Sequence, residues 1–443
     1  MAAVKQAVVF RAYPTKEQQA MLRSWMGACR FVWNQFVAYN KDLYAARRRF
    51  AFHGELSAFL PEMKRIEGYE WLADVPAISL VDVARSYDLA LRNALADHKA
   101  IRAGKKLGGK ARGFPVFKRK REGEGRLYLS SQSITALEPT LDAPHKARGT
   151  VTVSKLGDLR VRGGRWPNGR ILSATMALKA GQWFLSIRFE GEAPWTGAAP
   201  EVGAVGGDLG LASFLTWDDG AEVRSIGPPR HLRKAEKKLK RQQRRVSRCA
   251  KGSVRRKRRV RVLGRIHRQV ANRRSDFLHQ TSHMLTAKAG VIGLEDLGVQ
   301  AMQRNRRLAK SVGDAGMAEL VRQIRYKADW RGRVFVRIDR WKRSTGVCPD
   351  CGTVHERLDL SVRIWTCEGC GAVHDRDAAA ARVIRLHAME LVGRGIPEPA
   401  SVTRRKRGES GPLRRGRGLR RKSAQGTANV PSHEQPPNLV AAE

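Results

Sequence analysis

Four cysteines near the end of the chain have the spacing of a metal site. Two C-x2-C pairs with 15 residues between them contain Cys348, Cys351, Cys367 and Cys370. This spacing is typical of a structural zinc ribbon, and Gly352 and Gly371, directly after each second cysteine, favour the turn of a zinc knuckle. Because four thiolates already complete a tetrahedron, we expect His355 and His374 to be solvent-exposed rather than ligands. The predicted cofactor is structural Zn²⁺.

Three acidic residues lie in settings that also point to chemistry. Asp208 lies inside the apolar run AVGGDLGLASF, Glu295 follows the apolar run AGVIGL, and Asp377 begins an alanine-rich helix just after the cysteines. A buried carboxylate on a strand is costly unless a cation or hydrogen-bond donors meet it. A hydrogen-bonded structural role is the alternative for Asp208. The two strands that carry Asp208 and Glu295 and the start of the helix that carries Asp377 can converge at one edge of a sheet.

Convergence of these carboxylates would imply divalent cations. Three carboxylates repel one another, and hard oxygen ligands suit Mg²⁺ or Mn²⁺. Two such ions about 4 Å apart can activate a water molecule and stabilise the leaving oxygen in phosphodiester cleavage. The nearby Asp375 is separated from Asp377 by about 200° around a helix, so only one of them can readily enter the site.

The net charge of the chain limits the classes of partner that it can bind. Its 443 residues, 42% of them hydrophobic, allow two to four folded units. The 85 Lys and Arg against 41 Asp and Glu give a net charge of +44, which favours a polyanionic partner. Nucleic acid is the first candidate and a membrane surface the second, although no apolar run approaches the ~18 residues of a spanning helix. No signal peptide is recognisable, so we expect a cytoplasmic, nucleoid-associated protein.

The elements that must position these groups follow in order. The run 4–13 predicts a strand, halted by Pro14, and Thr15 with Glu17 predicts a capped helix start. Apolar residues then keep helical spacing to about residue 103, and alternating runs between 108 and 196 predict a small antiparallel barrel or sheet, to which the first strand can belong. From 197 onward, strands alternate with helices in an α/β layer, with a hairpin at Asp218, Asp219 and Gly220 and two helices in the basic segment 231–287.

Cationic and aromatic side chains along these segments are candidate nucleic-acid contacts. The segment 231–287 is the most basic, and so dense a patch would repel itself at low salt unless phosphates neutralise it. Phe117 beside Lys118 suits a single strand, although an exposed basic loop explains the pattern equally well. A solvated helix face is the simpler interpretation of Arg30 and Asn34. The candidates are Arg30, Asn34, Phe117, Lys118, Arg244, Arg245, Arg273, Arg274, Arg304, Arg306 and Lys327.

Motifs along nearly the whole chain resemble the OrfB/TnpB family of insertion-sequence proteins, relatives of compact type V CRISPR effectors. The matching patterns are RAYPTKEQ, GACRFVWN, GFPVFKRK, GGDLGLASF, RSDFL, IGLEDLGVQAM, RNRRLAK, YKADWRG, DRW and the two cysteine pairs followed by HDRD. The resemblance rests on their number, order and spacing.

The resemblance implies a multidomain fold, α/β plus all-β, and a function. The implied units are the first strand of an N-terminal β-barrel (1–15), a helical recognition insertion (16–107), the rest of the barrel (108–196), a RuvC-like, RNase H-type core (197–340), a zinc ribbon (341–373), a final core helix (374–393) and a disordered basic tail (394–443). It implies an RNA-guided DNA endonuclease with Asp208, Glu295 and Asp377 as catalytic triad. The implied partners are a guide RNA encoded by the element and double-stranded DNA with a short adjacent motif.

Two departures from the family pattern leave alternatives open. The family commonly has Asn two residues after the last catalytic Asp, where this chain has Ala379, and a Ser-Ser-Lys run where it has Ser344, Thr345 and Gly346. A nuclease-weak guided DNA-binding accessory protein or repressor is therefore the alternative function. A strand-transfer transposase is a third. Within the implied site, Asp377 is the ligand and Asp375 is a helix N-terminal charge.

Overall fold

The computed structural model describes residues 3–393 except 106, 108, 121–123, 141–147, 164–165, 194, 196–198, 356–357 and 360. The predicted basic tail, 394–443, lies outside the described residues. No helix in the described part of the chain is both long and apolar enough to cross a membrane.

The chain begins with a strand and three helices. Strand β1 (Val4–Tyr13) ends at Pro14, and Thr15 then starts helix α1 (Lys16–Ala45) through a capping box. Its hydroxyl accepts from the Gln18 backbone N–H, while Gln18 Oε1 accepts from the Thr15 N–H. The predicted helix start is therefore confirmed. Helices α2 (His53–Met63) and α3 (Ala77–Arg102) follow, with a short 3₁₀ turn between them.

A seven-stranded antiparallel sheet takes up the next part of the chain. It adds β2 (Glu124–Ser130), β3 (Ile134–Thr140), β4 (Arg148–Val153), β5 (Gly157–Arg162), β6 (Arg170–Lys179) and β7 (Gln182–Gly191). The strand order is β2-β6-β7-β1-β5-β4-β3, so β1 lies in the middle, paired with β5 and β7. The three helices are thus inserted between the first two strands of this sheet in chain order.

A second sheet has five strands. Its members are β8 (Val202–Asp208), β9 (Leu215–Asp218), β10 (Val223–Ile226), β11 (Ala289–Glu295) and β12 (Val334–Ile338). The order is β10-β9-β8-β11-β12, with β8, β11 and β12 parallel and β9 and β10 joined as the predicted hairpin. Two basic helices, α4 (His231–Ser247) and α5 (Val254–Lys288), lead to β11, and α6 (Val299–Arg304), α7 (Ala309–Ala315) and α8 (Met317–Arg331) lead to β12.

The last helix covers the five-stranded sheet. A short hairpin of β13 (Ile364–Thr366) and β14 (Val373–Asp375) runs directly into α9 (Arg376–Gly393). A Cβ added at Gly206 of β8 would lie 2.2 Å from the backbone nitrogen of Arg385, and one at Gly293 of β11 would lie 2.6 Å from the Cβ of Ala388. Only glycine lets the helix lie this close to both strands.

Candidate functional site

Two of the three predicted carboxylates end neighbouring parallel strands. Gly207 pairs with Leu294, so Asp208 and Glu295 are the next residues on β8 and β11. Neighbouring strands lie about 4.8 Å apart, and residues two apart point to the same face. Because Gly206 and Gly293 face α9, the side chains of Asp208 and Glu295 also lie on the face that α9 covers.

The third carboxylate reaches the same place from the start of α9. A Cβ at Gly206 would meet the carbonyl oxygen of Ala381, which lies one turn after Asp377. Four residues of helix span about 6 Å and two residues of strand about 6.6 Å, so Asp377 and Asp208 come to the same end of their elements. The structure therefore brings the predicted three residues together.

The pKa of Asp208 reflects its position near the other two carboxylates. Burial, together with the negative charges of Glu295 and Asp377, raises the pKa of Asp208 to about 7. The guanidinium of Arg376 opposes the shift. A carboxylate desolvated among other carboxylates is stabilised in its ionised form by a cation. Carboxylate oxygens are the type of ligand that Mg²⁺ and Mn²⁺ prefer.

Residues outside the sheet contact two of the carboxylates. The hydroxyl of Ser344 donates to Oε1 of Glu295, and Arg363 Nη1 lies 3.4 Å from Oδ1 of Asp377. Neither contact is predicted by the sequence. Ser344 stands out there only as part of a departure from the family pattern, and a single arginine among so many carries no signal of its own.

The two neighbouring aspartates have different surroundings. Asp375 ends β14 and is exposed, and its Oδ1 accepts a hydrogen bond of 2.9 Å from the Ala378 N–H. This contact confirms that Asp375 serves the helix N-terminus. Ala379, at the position where the family commonly has Asn, is buried in a small core with Cys348, Trp365 and Cys367. An amide at position 379 would therefore lie among these side chains.

The four predicted cysteines form one cluster. Their Sγ atoms all lie within 4.8 Å of one another, with Cys348 to Cys370 at 3.7 Å and Cys351 to Cys367 at 3.5 Å. Four ligands at about 2.3 Å from a central Zn²⁺ would be about 3.8 Å apart, which these distances approach. Cys348 and Cys367 are buried, whereas the second cysteine of each pair is exposed. This cluster fits zinc.

The prediction that both histidines are exposed is wrong. His374 is 5% exposed, and its Nε2 lies 3.2 Å from Cys348 Sγ. His355 packs against Trp365 with ring centroids 4.6 Å apart, and its hydrogen bond to Cys367 lowers the pKa of that thiol. The reason is that the ribbon is too small to bury two thiolates without polar partners, and the two imidazoles supply them.

The candidate nucleic-acid contacts divide into exposed and buried residues. The exposed ones on the basic helices and beyond are Arg244, Arg245, Arg273, Arg304 and Arg306. Arg274 instead pairs with Asp314, at 3.3 Å. The prediction for Lys327 is wrong, because its side chain is 2% exposed and its ammonium donates to His279 O and Ser282 Oγ. Position 327 continues the buried stripe of α8, seven residues after Leu320.

The segment 113–120 is attached to α1. Trp33 Nε1 donates to Val116 O at 2.9 Å, and the side-chain amide of Asn34 both donates to Lys118 O and accepts from the Lys118 N–H. The ammonium of Lys118 lies 3.1 Å from the Trp33 ring centroid, and desolvation lowers the pKa of Lys118 to about 8. Phe117 is half exposed, with Lys41 over its ring. Asn34 therefore holds this segment in place.

A large groove lies beside this segment. Its volume is about 1620 Å³, and α1, α3, the seven-stranded sheet and α5 all contribute to its walls. Its basic lining includes Arg30, Lys118, Arg126, Arg188 and Arg268. The dimensions and charge suit a phosphate backbone more than a small molecule.

Comparisons with known proteins agree with this architecture. The OrfB model of IS605-type elements, described as "Probable transposase", matches residues 186–306, and a "Cas12f1-like, TNB domain" model matches 318–384. A "Putative RNA-guided DNA endonuclease" of Streptomyces pristinaespiralis is 34% identical over 371 residues, covering 83% of this chain and 85% of the relative. The similarly named InsQ of Escherichia coli K12 is 29% identical over 394 residues, covering 86% and 91%.

A solved structure shares the fold. The protein chain in "Cryo-EM structure of the Cas12f1-sgRNA-target DNA complex" aligns with a TM-score of 0.50 at 11% identity, covering 86% of this chain and 99% of that one. At this identity the match shows a compact Cas12-like fold of mixed α/β content. The relative of 34% identity and the matching OrfB model show the family: the chain belongs to the OrfB/TnpB family of insertion-sequence proteins.

Proposed function

We propose that this protein is an RNA-guided DNA endonuclease of a transposable element, which cleaves DNA phosphodiesters at Asp208, Glu295 and Asp377. The observation that carries the proposal is the meeting of these residues where β8, β11 and α9 come together, with the pKa of Asp208 raised by burial and by the other two carboxylates. The two relatives, both named "Putative RNA-guided DNA endonuclease", support the same function.

The surrounding fold supports a RuvC-like, RNase H-type core. In this interpretation the core comprises 197–340 and 374–393, interrupted by the zinc ribbon at 341–373. The mixed sheet with three parallel strands and α9 across it supports that interpretation. The first strand (1–15) and 108–196 form the N-terminal barrel, and 16–107 is its helical recognition insertion. The position of β1 in the middle of the seven-stranded sheet supports this division.

The three carboxylates would hold two divalent cations, Mg²⁺ or Mn²⁺. When bound there, the cations supply charge neutralisation and Lewis acidity for in-line phosphodiester cleavage. The protein's part is to place oxygen ligands from two strands and one helix within a partly desolvated pocket. Arg376 favours the ionised state of Asp208, and Arg363 Nη1 lies 3.4 Å from Oδ1 of Asp377. The four cysteines would hold a structural Zn²⁺.

Guide RNA and target DNA would contact the basic surfaces. A net charge of +44 is consistent with a large nucleic-acid partner, and the groove beside α1 and α5 has basic walls. In guided recognition, base pairing identifies the target while the protein holds the backbone and reads the adjacent motif. Arg30, Phe117 and Lys118, near that groove, are candidates for such contacts.

A cleavage assay with matched variants tests the proposal. The protein is purified with its co-expressed guide and offered DNA with matched or scrambled targets. Asp377→Asn is expected to lose cleavage by at least about 100-fold, whereas Asp375→Asn keeps its cap and its activity. Cutting that ignores the guide, or full cutting by Asp377→Asn, would refute the proposal. Tight guided binding without cleavage by the unaltered protein would favour the accessory-protein alternative, for which Ala379 is the supporting departure.

A further inference from the structure

Glu295 has a hydrogen-bond partner that the proposed chemistry does not use. Ser344 is 4% exposed, and its hydroxyl donates to Oε1 of Glu295. It lies in the connection between β12 and the first zinc-knuckle cysteine, Cys348, and not in the sheet that carries Glu295. The contact therefore joins two parts of the protein that are 49 residues apart in sequence.

The position of Ser344 depends on the folded ribbon. The carbonyl oxygen of Gly346 accepts from the His355 N–H at 2.8 Å, and the Cys348 N–H donates to Thr353 O at 2.9 Å. These bonds close the first knuckle immediately after Ser344. Since a cysteine cluster of this kind folds around its metal, the place of Ser344 is set by the zinc ribbon.

A hydroxyl at this place restricts the glutamate. A free Glu side chain samples many rotamers and loses that freedom when it binds a cation. The Ser344 hydroxyl occupies one acceptor direction of Oε1 and leaves Oε2 and the remaining lone pair for other ligands. A carboxylate held in this way is already ordered before the cation arrives.

We propose that Ser344 is a positioning residue for Glu295, through which the folded zinc ribbon sets the affinity of the carboxylate site for its divalent cation. The inference rests on the proposed function, because it takes Glu295 as a cation ligand. It adds a structural connection between the zinc cluster and the nuclease site. The adjacent Thr345 is exposed and provides a matched control.

Direct cation binding tests the inference without cleavage. The guide-free full chain is titrated with Mn²⁺, and bound Mn²⁺ is followed by electron paramagnetic resonance. Ser344→Ala is expected to weaken binding by about 10-fold, the lower end of the effect of residues behind a metal ligand. Ser344→Thr keeps the hydroxyl and should restore the affinity, and Thr345→Ala should match the unaltered protein. In guided cleavage, the Mg²⁺ concentration for half-maximal rate should rise by the same factor while the rate at saturating Mg²⁺ changes little.

The outcomes separate the two proposals. If Asp208→Ala leaves Mn²⁺ affinity unchanged, the proposed function itself fails. If Asp208→Ala abolishes binding while Ser344→Ala equals Thr345→Ala, only the positioning role is overturned. Zinc content and the melting transition are measured for every variant. Should Ser344→Ala lose either, Ser344→Cys, which keeps the size of the side chain but weakens the donor, replaces it, and unchanged Mn²⁺ affinity in that variant overturns the inference.

Discussion

Asp208 and Glu295 each lie two residues after a glycine that touches the same helix. Gly206 and Gly293 pair with each other in neighbouring parallel strands, and a side chain on either would collide with α9. Because residues two apart on a strand share a face, these contacts direct both carboxylates toward the start of α9. This packing explains why the carboxyl group of Asp208 is partly buried and lies near those of Glu295 and Asp377.

The raised pKa of Asp208 predicts a pH dependence of cleavage. Below pH 7 this carboxyl is increasingly protonated, and a protonated carboxyl is a poor cation ligand. The cleavage rate at limiting Mg²⁺ is therefore expected to rise through about pH 7. Raising Mg²⁺ favours the ionised form and should move the midpoint to lower pH. Rates measured from pH 5.5 to 8.5 at two Mg²⁺ concentrations check this, and a midpoint independent of Mg²⁺ would contradict it.

The same shift predicts that Asp208 destabilises the fold at high pH. Its folded pKa, about 7, exceeds the reference value of 3.8, so the native state binds more protons and stability falls as the pH rises through this window. Asp208→Asn has no titrating carboxyl group at this position and therefore avoids this loss of folding stability. Without added Mg²⁺, the variant is expected to melt at higher temperature than the unaltered protein at pH 8, with the difference shrinking toward pH 4. Asp375→Asn serves as control, and equal melting temperatures for Asp208→Asn and the unaltered protein at pH 8 would refute the prediction.

Removal of the buried His374 should lower the affinity of the four-cysteine cluster for zinc. His374→Ala deletes the imidazole 3.2 Å from Cys348 Sγ, and such partners of metal ligands typically contribute 10–100-fold in affinity. We expect a loss of about 10-fold or more, measured by competition with a chromophoric chelator. His267→Ala, on an exposed position of α5, is the control. Equal zinc affinity of the two variants would rule out the assigned role of His374.

Asn34 should affect nucleic-acid binding by holding the segment 113–120 in place. Asn34→Ala removes two hydrogen bonds to the backbone of Lys118, each worth about 1 kcal/mol. Hydrogen exchange at the Lys118 amide is expected to speed up by roughly 10-fold, and guided target binding to weaken. Gln35→Ala on the same helix is the comparison. If exchange at Lys118 does not change, Asn34 does not anchor this segment.

Much of the organisation follows from local chemistry. Thr15 caps the start of α1 as predicted, the two basic helices and the hairpin of β9 and β10 occur where the pattern predicts them, and the four cysteines cluster. These features depend on spacing and short-range hydrogen bonds. The wrong predictions concern residues whose exposure depends on tertiary packing. Lys327 and His374 carry polar groups that occur on surfaces in most proteins, and only the packing of neighbouring elements encloses them.

The sequence by itself determined which residues could do chemistry, because ligand type and spacing are local properties. The cysteine pairs, the three carboxylates in apolar or helix-start settings and the two glycines that precede Asp208 and Glu295 can all be read from it. Only the tertiary structure decided that Asp377 joins the other two and that Ser344 contacts Glu295. These contacts link elements distant in the chain, and their geometry is set by strand register and helix packing.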